Sequence, residues 1–162
     1  MYRIRSGHLE VLLAHPGGPY WQKKDDGAWT FPRGEVHPDE EPVSAAIREF
    51  EEETGYAPRE PFISLGNVHH RSGKVVHAWA FEGDLDPRSI KSNTFQIEWP
   101  PRSGQQQEFP EIDRASFFEI ATASRKILPA EFPLLRTLEC ILEEQGLVQA
   151  EKKSEFRHTL FD

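Results

Sequence analysis

The stretch "GEVHPDEEPVSAAIREFEEETGY", Gly34 to Tyr56, sets six carboxylates among its last seventeen residues and brackets them with glycines. Like charges at helical spacing repel, so the crowding needs a cause. Pro42 suits a first helical turn, where its missing N–H costs nothing, and Gly55 suits a C-terminal stop. The spacing therefore predicts a helix from Pro42 to Thr54. Val43, Ile47, Phe50 and Thr54 recur at intervals of four, three and four, and this stripe is the expected buried side. Glu49, Glu52 and Glu53 stand at i, i+3 and i+4, so they share a neighbouring face. Three convergent carboxylates suit a hard cation such as Mg2+ or Mn2+ and suit thiolate-seeking metals poorly. A cation would neutralise the repulsion, and without it a raised carboxylate pKa is expected. The glutamate run taken alone reads better as a solvated helix face. The pattern around it decides otherwise.

Upstream, "MYRIRSGHLEVLLAHPGG" reads as a hairpin turning at Ser6-Gly7, and "AWTF" as a brief strand before Pro32. Downstream, "FISLGNVHHRSGKVVHAWAFEGDL" offers two strands about Ser72-Gly73, and "NTFQIEWPP" one more. "RSGQQQEF" is polar and turn-rich and reads as a mobile loop, followed by a short strand and a helical turn. In "PAEFPLLRTLECILEEQG", Leu134, Leu135, Leu138, Ile141 and Leu142 share one helical face, and Gly146 ends it. Short strands interleaved with two good helices predict an α/β fold, helices covering a mixed sheet. One domain over residues 1–146 is expected, with residues 147–162 a polar tail of the composition of a disordered or interaction segment.

Across 162 residues, 19 basic and 27 acidic side chains leave a formal charge of −8. That balance disfavours a general grip on a nucleic acid polymer or an anionic membrane, while a small phosphorylated ligand on a cation remains compatible with it. No apolar run reaches the length of a membrane span and no signal-peptide pattern opens the chain. The single cysteine, Cys140, is expected as a buried packing thiol and points to a reducing, cytoplasmic setting. The hairpin edge near Met1 and the terminal "FRHTLF" are compatible with a homodimer as well as a monomer.

Glycine, five residues, glutamate, seven residues, then Arg-Glu-apolar-any-Glu-Glu-any-Gly-apolar is filled at every position: Gly34, Glu40, Arg48, Glu49, Phe50, Glu52, Glu53, Gly55 and Tyr56. In this the chain resembles the Nudix hydrolases. The resemblance implies an α/β/α sandwich with a mixed β-sheet. It implies Mg2+, with Mn2+ as substitute, on Glu49, Glu52, Glu53 and the Gly34 carbonyl. Arg48 would orient a catalytic glutamate, and Glu40 would hold the loop to the helix. The implied reaction is attack of water on a phosphoanhydride of a nucleoside triphosphate, or of a nucleoside diphosphate linked to another group. Its base comes from the helix or from a later loop, where Glu108 and Glu111 are the candidates.

Arg33, beside the box glycine, can fork onto a phosphate, and His70 and Arg71 join it with Lys23, Lys24 and His69 as nearby cations. Trp21, in a loop near Gly17-Gly18, is the expected base-stacking ring. The tyrosine that resembles dinucleoside polyphosphate hydrolases is replaced by Ser72, Gly73 and Lys74, and the proline that resembles ADP-ribose hydrolases by Arg71 and Ser72. Hydrolysis of a dinucleoside or diphosphoinositol polyphosphate is the alternative within the enzyme class. An inactive Nudix-fold nucleotide-binding or regulatory module is the alternative outside it, and the intact glutamates disfavour it.

Overall fold

A computed structural model describes residues 1–149. Strands β1 (Tyr2–Arg5) and β2 (His8–Pro16) form the first hairpin. Its turn needs two left-handed residues, and Ser6 and Gly7 supply them at φ 51° and 80°. The other edge of β2 pairs antiparallel with β7 (Ile112–Glu119). A second hairpin joins β3 (Ile63–His69) to β4 (Val75–Ala80). Beyond β4 the chain runs parallel to β1, where the Tyr2 N–H donates to the Phe81 carbonyl at 3.0 Å and the Gly83 N–H to the Tyr2 carbonyl at 2.9 Å. The two hairpins are thereby linked into a mixed sheet.

Alternation along β2 sets the layers. Leu12 buries with Phe50 and Phe81 on the side of α1 (Pro42–Thr54). Val11 and Leu13 bury with Leu134, Leu135, Leu138 and Leu142 of α3 (Phe132–Glu144) on the other. Each such side chain contributes about 1.5–3 kcal/mol through lost contact with water. The short α2 (Ile120–Lys126) follows β7 directly. The result is the α/β/α sandwich that the family resemblance implies.

Four readings from sequence are corrected or sharpened. The segment expected as a mobile loop contains β6 (Gln106–Pro110), paired antiparallel with β5 (Thr94–Glu98). Its residues are almost all exposed, so no apolar alternation betrays it; its ring pair is Phe95 with Phe109, centroids 6.2 Å apart. The "AWTF" strand reduces to two isolated bridges, Thr30 to Ala14 and Trp29 to Ile127. Cys140 is exposed, because it lies two residues from both Leu138 and Leu142 and so faces away from their buried side.

The apolar stripe of α1 is buried only at its C-terminal half, through Phe50 and Thr54. Val43 and Ile47 are half-buried and line an apolar cavity of about 300 Å3 bounded also by β4 and Leu138. After α3, Gly146 turns the chain at φ 70° and Val148 packs on the core. The rest of the expected tail, residues 150–162, lies outside the described residues.

Candidate active site

The loop before α1 and the first turns of the helix are tied together by one guanidinium. Arg48 donates from Nε to Glu40 Oε1 at 2.9 Å and from Nη2 to Glu40 Oε2 at 3.0 Å, a two-pronged bond. Nη2 also reaches the Glu35 carbonyl at 3.0 Å, while Nη1 reaches Glu49 Oε1 at 2.9 Å and Glu52 Oε2 at 3.4 Å. Glu40 accepts in addition from the His37 N–H at 3.0 Å. Chiefly through Arg48, its carboxyl is pulled down to about 2, and the Arg48 pKa is raised. Glu40 and Arg48 together thus fasten the loop to the helix.

Glu49 lies directly over Gly34. A Cβ at Gly34 would stand 1.8 Å from Glu49 Cδ, so a side chain here would drive the Glu49 carboxylate from its place; space, and not a left-handed φ, favours the glycine. Glu52 is half-exposed on the outer side of this face. Glu53 is buried, and its Oε2 has no hydrogen-bond partner. Burial first, then the charges of Glu49 and Glu111, push its carboxyl up to about 8 against the opposing effect of the Arg33 N–H.

Glu53 opens onto a cleft of about 240 Å3 lined by Trp21, Arg33 and Glu111 among others. Of the two loop carboxylates, Glu111 therefore faces Glu53, whereas Glu108 lies on the outer hairpin and accepts from the Thr94 hydroxyl at 2.5 Å. Trp21 lines the cleft with one face taken by Lys24, whose Nζ lies 4.6 Å from the ring centroid. Its loop is anchored by fully buried His15, which bridges Asp113 and the Lys24 carbonyl at 2.7 Å each.

The remaining expected contacts are elsewhere. Arg71 is exposed on the β3–β4 turn and does not line the cleft. His70 is largely covered, with Nε2 at 3.7 Å from Glu131 Oε1, so it serves an internal cluster and not the cleft. Glu131 itself went unread in the sequence. It is fully buried and accepts from Arg33 Nη1 at 2.5 Å and from the Phe31 N–H at 3.2 Å. A lone acid at the start of a helix ordinarily reads as an exposed cap, and no periodicity marks this one as internal.

Among the described residues, no three side chains stand ready-grouped around a cation. Glu49 is engaged by Arg48 and by the Glu35 N–H at 3.3 Å. The orphaned Glu53 oxygen, its raised pKa and the all-oxygen donor set are nevertheless what a hard divalent cation at this helix face would satisfy. The residues present fit such an ion.

The NUDIX domain family model matches residues 1–138. The chain belongs to the Nudix family. Among its curated relatives are RNA pyrophosphohydrolases of Xylella fastidiosa (strain Temecula1 / ATCC 700964), 46% identical, and of Stenotrophomonas maltophilia (strain K279a), 44% identical. Each alignment runs over 50 residues, 30% of this chain, and spans only about a quarter of the relative, 26% and 24%. Among solved structures, a C. elegans Ap4A hydrolase in a binary complex superimposes with a TM-score of 0.61 at 24% identity, covering 88% of this chain and 94% of that one. The NUDIX domain of Shewanella oneidensis NrtR complexed with ADP ribose superimposes at 0.58 and 17% identity, over 87% and 82%. These likenesses establish the Nudix fold. No helix among the described residues is long and apolar enough to cross a membrane.

Proposed function

We propose that this Nudix protein is a Mg2+-dependent pyrophosphohydrolase that cleaves the phosphoanhydride of a nucleotide, a triphosphate or a diphosphate bearing another group. The observation that carries the reading is Glu53: a buried carboxyl with an orphaned oxygen, raised to about 8, facing Glu111 across a cleft lined by Arg33 and Trp21. Perturbed acids in a cleft with convergent polar groups are the usual mark of a catalytic centre.

Glu49, Glu52, Glu53 and the Gly34 carbonyl would hold the cation, which supplies positive charge against that of the phosphates. Arg48 keeps Glu49 turned toward Gly34. Arg33 retains N–H groups beyond the one given to Glu131 and offers them to a phosphate at the cleft. Glu111 takes the proton of the attacking water, being the later carboxylate that lines the cleft. Trp21, packed against the core and covered by Lys24, offers a base only the ring surface left at the cleft wall. A cytoplasmic site of action suits a substrate of this kind.

The relatives named RNA pyrophosphohydrolases bring a triphosphorylated RNA end into consideration. A net charge of −8 disfavours binding along an RNA polymer, so recognition would be confined to its 5′ terminus. The Ap4A hydrolase likeness brings in dinucleoside polyphosphates. The binding-module alternative has the ADP ribose complex of NrtR behind it. Phosphate or pyrophosphate release in Mg2+ across nucleoside triphosphates, dinucleoside polyphosphates, ADP-ribose, inositol pyrophosphates and a 5′-triphosphate RNA separates them. Turnover of one class, lost in Glu52→Gln, supports the hydrolase. Saturable binding of a ligand that is never turned over supports the module.

A further inference from the structure

The segment Phe31–Pro32–Arg33 is a wall between two spaces. All three residues line the cleft of Glu53 and Glu111 on one side, and all three line the apolar cavity of about 300 Å3 on the other. Phe31 packs at the edge of the main core, but with open space on both faces the segment is held only in part by close packing, which elsewhere keeps interiors rigid. Its position depends on the bonds at its ends and middle.

Upstream, the chain is clamped where Thr30 exchanges hydrogen bonds with Ala14 at 2.8 and 2.9 Å and the Leu128 N–H donates to the Trp29 carbonyl at 2.8 Å. Downstream, Glu35 is clamped by Glu49 and Arg48. Between these clamps the Phe31 N–H and the Arg33 guanidinium both end on Glu131. Glu131 occupies the N-cap position of α3 yet makes no side-chain cap bond to its own helix. A carboxylate at this position normally caps its own helix, and here that use is forgone for the wall. Glu131 is fully buried, and His70 approaches it from the β3–β4 hairpin.

We propose that Glu131 is the positioning residue of the catalytic loop: from the start of α3 it fixes Phe31 and the Arg33 guanidinium, so that the wall cannot sag into the apolar cavity. Arg33 is thereby kept at the cleft and its main-chain N–H beside Glu53. This deepens the hydrolase reading and rests on it for the kinetic half of the test only.

The test compares Glu131→Ala, Glu131→Gln and, as a destabilised control away from the wall, Ile120→Val, all in the full chain. Amide hydrogen exchange is read on protein free of metal and substrate, and kcat and KM are read in Mg2+ on the substrate the panel identifies. In Glu131→Ala, exchange at Phe31 and Arg33 is expected to rise by on the order of ten-fold or more while Trp29 and Thr30 keep their protection. Its kcat is expected to fall by on the order of 100-fold, as for a catalytic group displaced by about 1 Å. Glu131→Gln still offers an oxygen to the Phe31 N–H but no charge to Arg33. It should restore Phe31 protection and most of kcat, and leave KM raised by about ten-fold, since the loosened guanidinium serves binding.

Unchanged exchange at Phe31 and Arg33 in Glu131→Ala overturns the proposal. So does a loss of protection spread evenly over the sheet, as expected of Ile120→Val, because a merely stabilising residue behaves in that way. If Glu131→Ala does not fold, Glu131→Gln decides, and wild-type exchange at Arg33 together with a wild-type KM in that variant overturns the proposal. A wild-type protein silent on every substrate would count against the hydrolase reading, while the exchange measurements would still decide whether Glu131 holds the wall.

Discussion

Replacing Glu53 by Gln should make the metal-free protein more stable at alkaline pH while removing its activity. The Glu53 carboxyl is raised from its ordinary 4.5 to about 8, mainly by burial. Between those values the folded chain holds a proton that the unfolded chain releases, so the folded state binds more protons and stability falls as pH rises. At about 1.36 kcal/mol per pKa unit, the ceiling of this cost is ~5 kcal/mol. Residual solvent access and adjustment of Glu49 and Glu111 lower it, and ~2 kcal/mol is the expected loss at pH 8. A glutamine of nearly the same shape is neutral at every pH and so escapes this cost.

In EDTA, the melting temperature of Glu53→Gln should therefore exceed that of the wild type by about 4–8 °C at pH 8, using about 2–4 °C per kcal/mol for a domain of this size. By pH 5 the difference should shrink to under about 1 kcal/mol, because wild-type Glu53 is protonated in the folded state and the pH then lies only half a unit above the unfolded pKa of 4.5. Scanning calorimetry at pH 5, 6, 7 and 8 reads the difference. A variant no more stable than wild type at pH 8, or an advantage independent of pH, would refute the buried-carboxylate reasoning. Added Mg2+ should reverse the order by stabilising the wild type.

Three further outcomes follow from the same geometry. Gly34→Ala should keep its circular-dichroism spectrum yet lose on the order of 100-fold in kcat, because the new methyl displaces Glu49. Mg2+ should raise the wild-type melting temperature, by the equivalent of about 2.7 kcal/mol at one hundred times its dissociation constant, and a flat titration would count against a cation site. His15→Leu should cost about 1–3 kcal/mol in urea unfolding, since it strips the Lys24 carbonyl and Asp113 of a buried donor, and an unchanged midpoint would contradict that role.

Much of the fold was legible because its signals are local. Pro42 and Gly55 bound α1 where expected, and the turns at Ser6-Gly7 and Ser72-Gly73 set the hairpins. That Glu49, Glu52 and Glu53 share one helix face was legible from their spacing, whereas their reading as a cation site needed the ordered pattern around them. What escaped is what depends on distant chain. Glu111 and Glu108 look alike in sequence, and only the pairing of β7 with β2 brings one of them to Glu53. Glu131 is 98 residues from its partner Arg33 and carries no pattern of its own. The polar β6 escaped because a strand exposed on both faces shows no alternation, and the half-buried Val43 and Ile47 because periodicity reports a face and not what meets it.

The most direct measurement is release of phosphate or pyrophosphate by wild type and Glu52→Gln, in Mg2+, over the panel of triphosphates, dinucleoside polyphosphates, ADP-ribose, inositol pyrophosphates and 5′-triphosphate RNA. Expected is turnover of one class by the wild type and a loss of several orders of magnitude in a natively folded Glu52→Gln. A variant that turns over as fast as the wild type would contradict the assignment of this helix face to the metal. A wild-type protein inert on the whole panel would contradict the pyrophosphohydrolase itself.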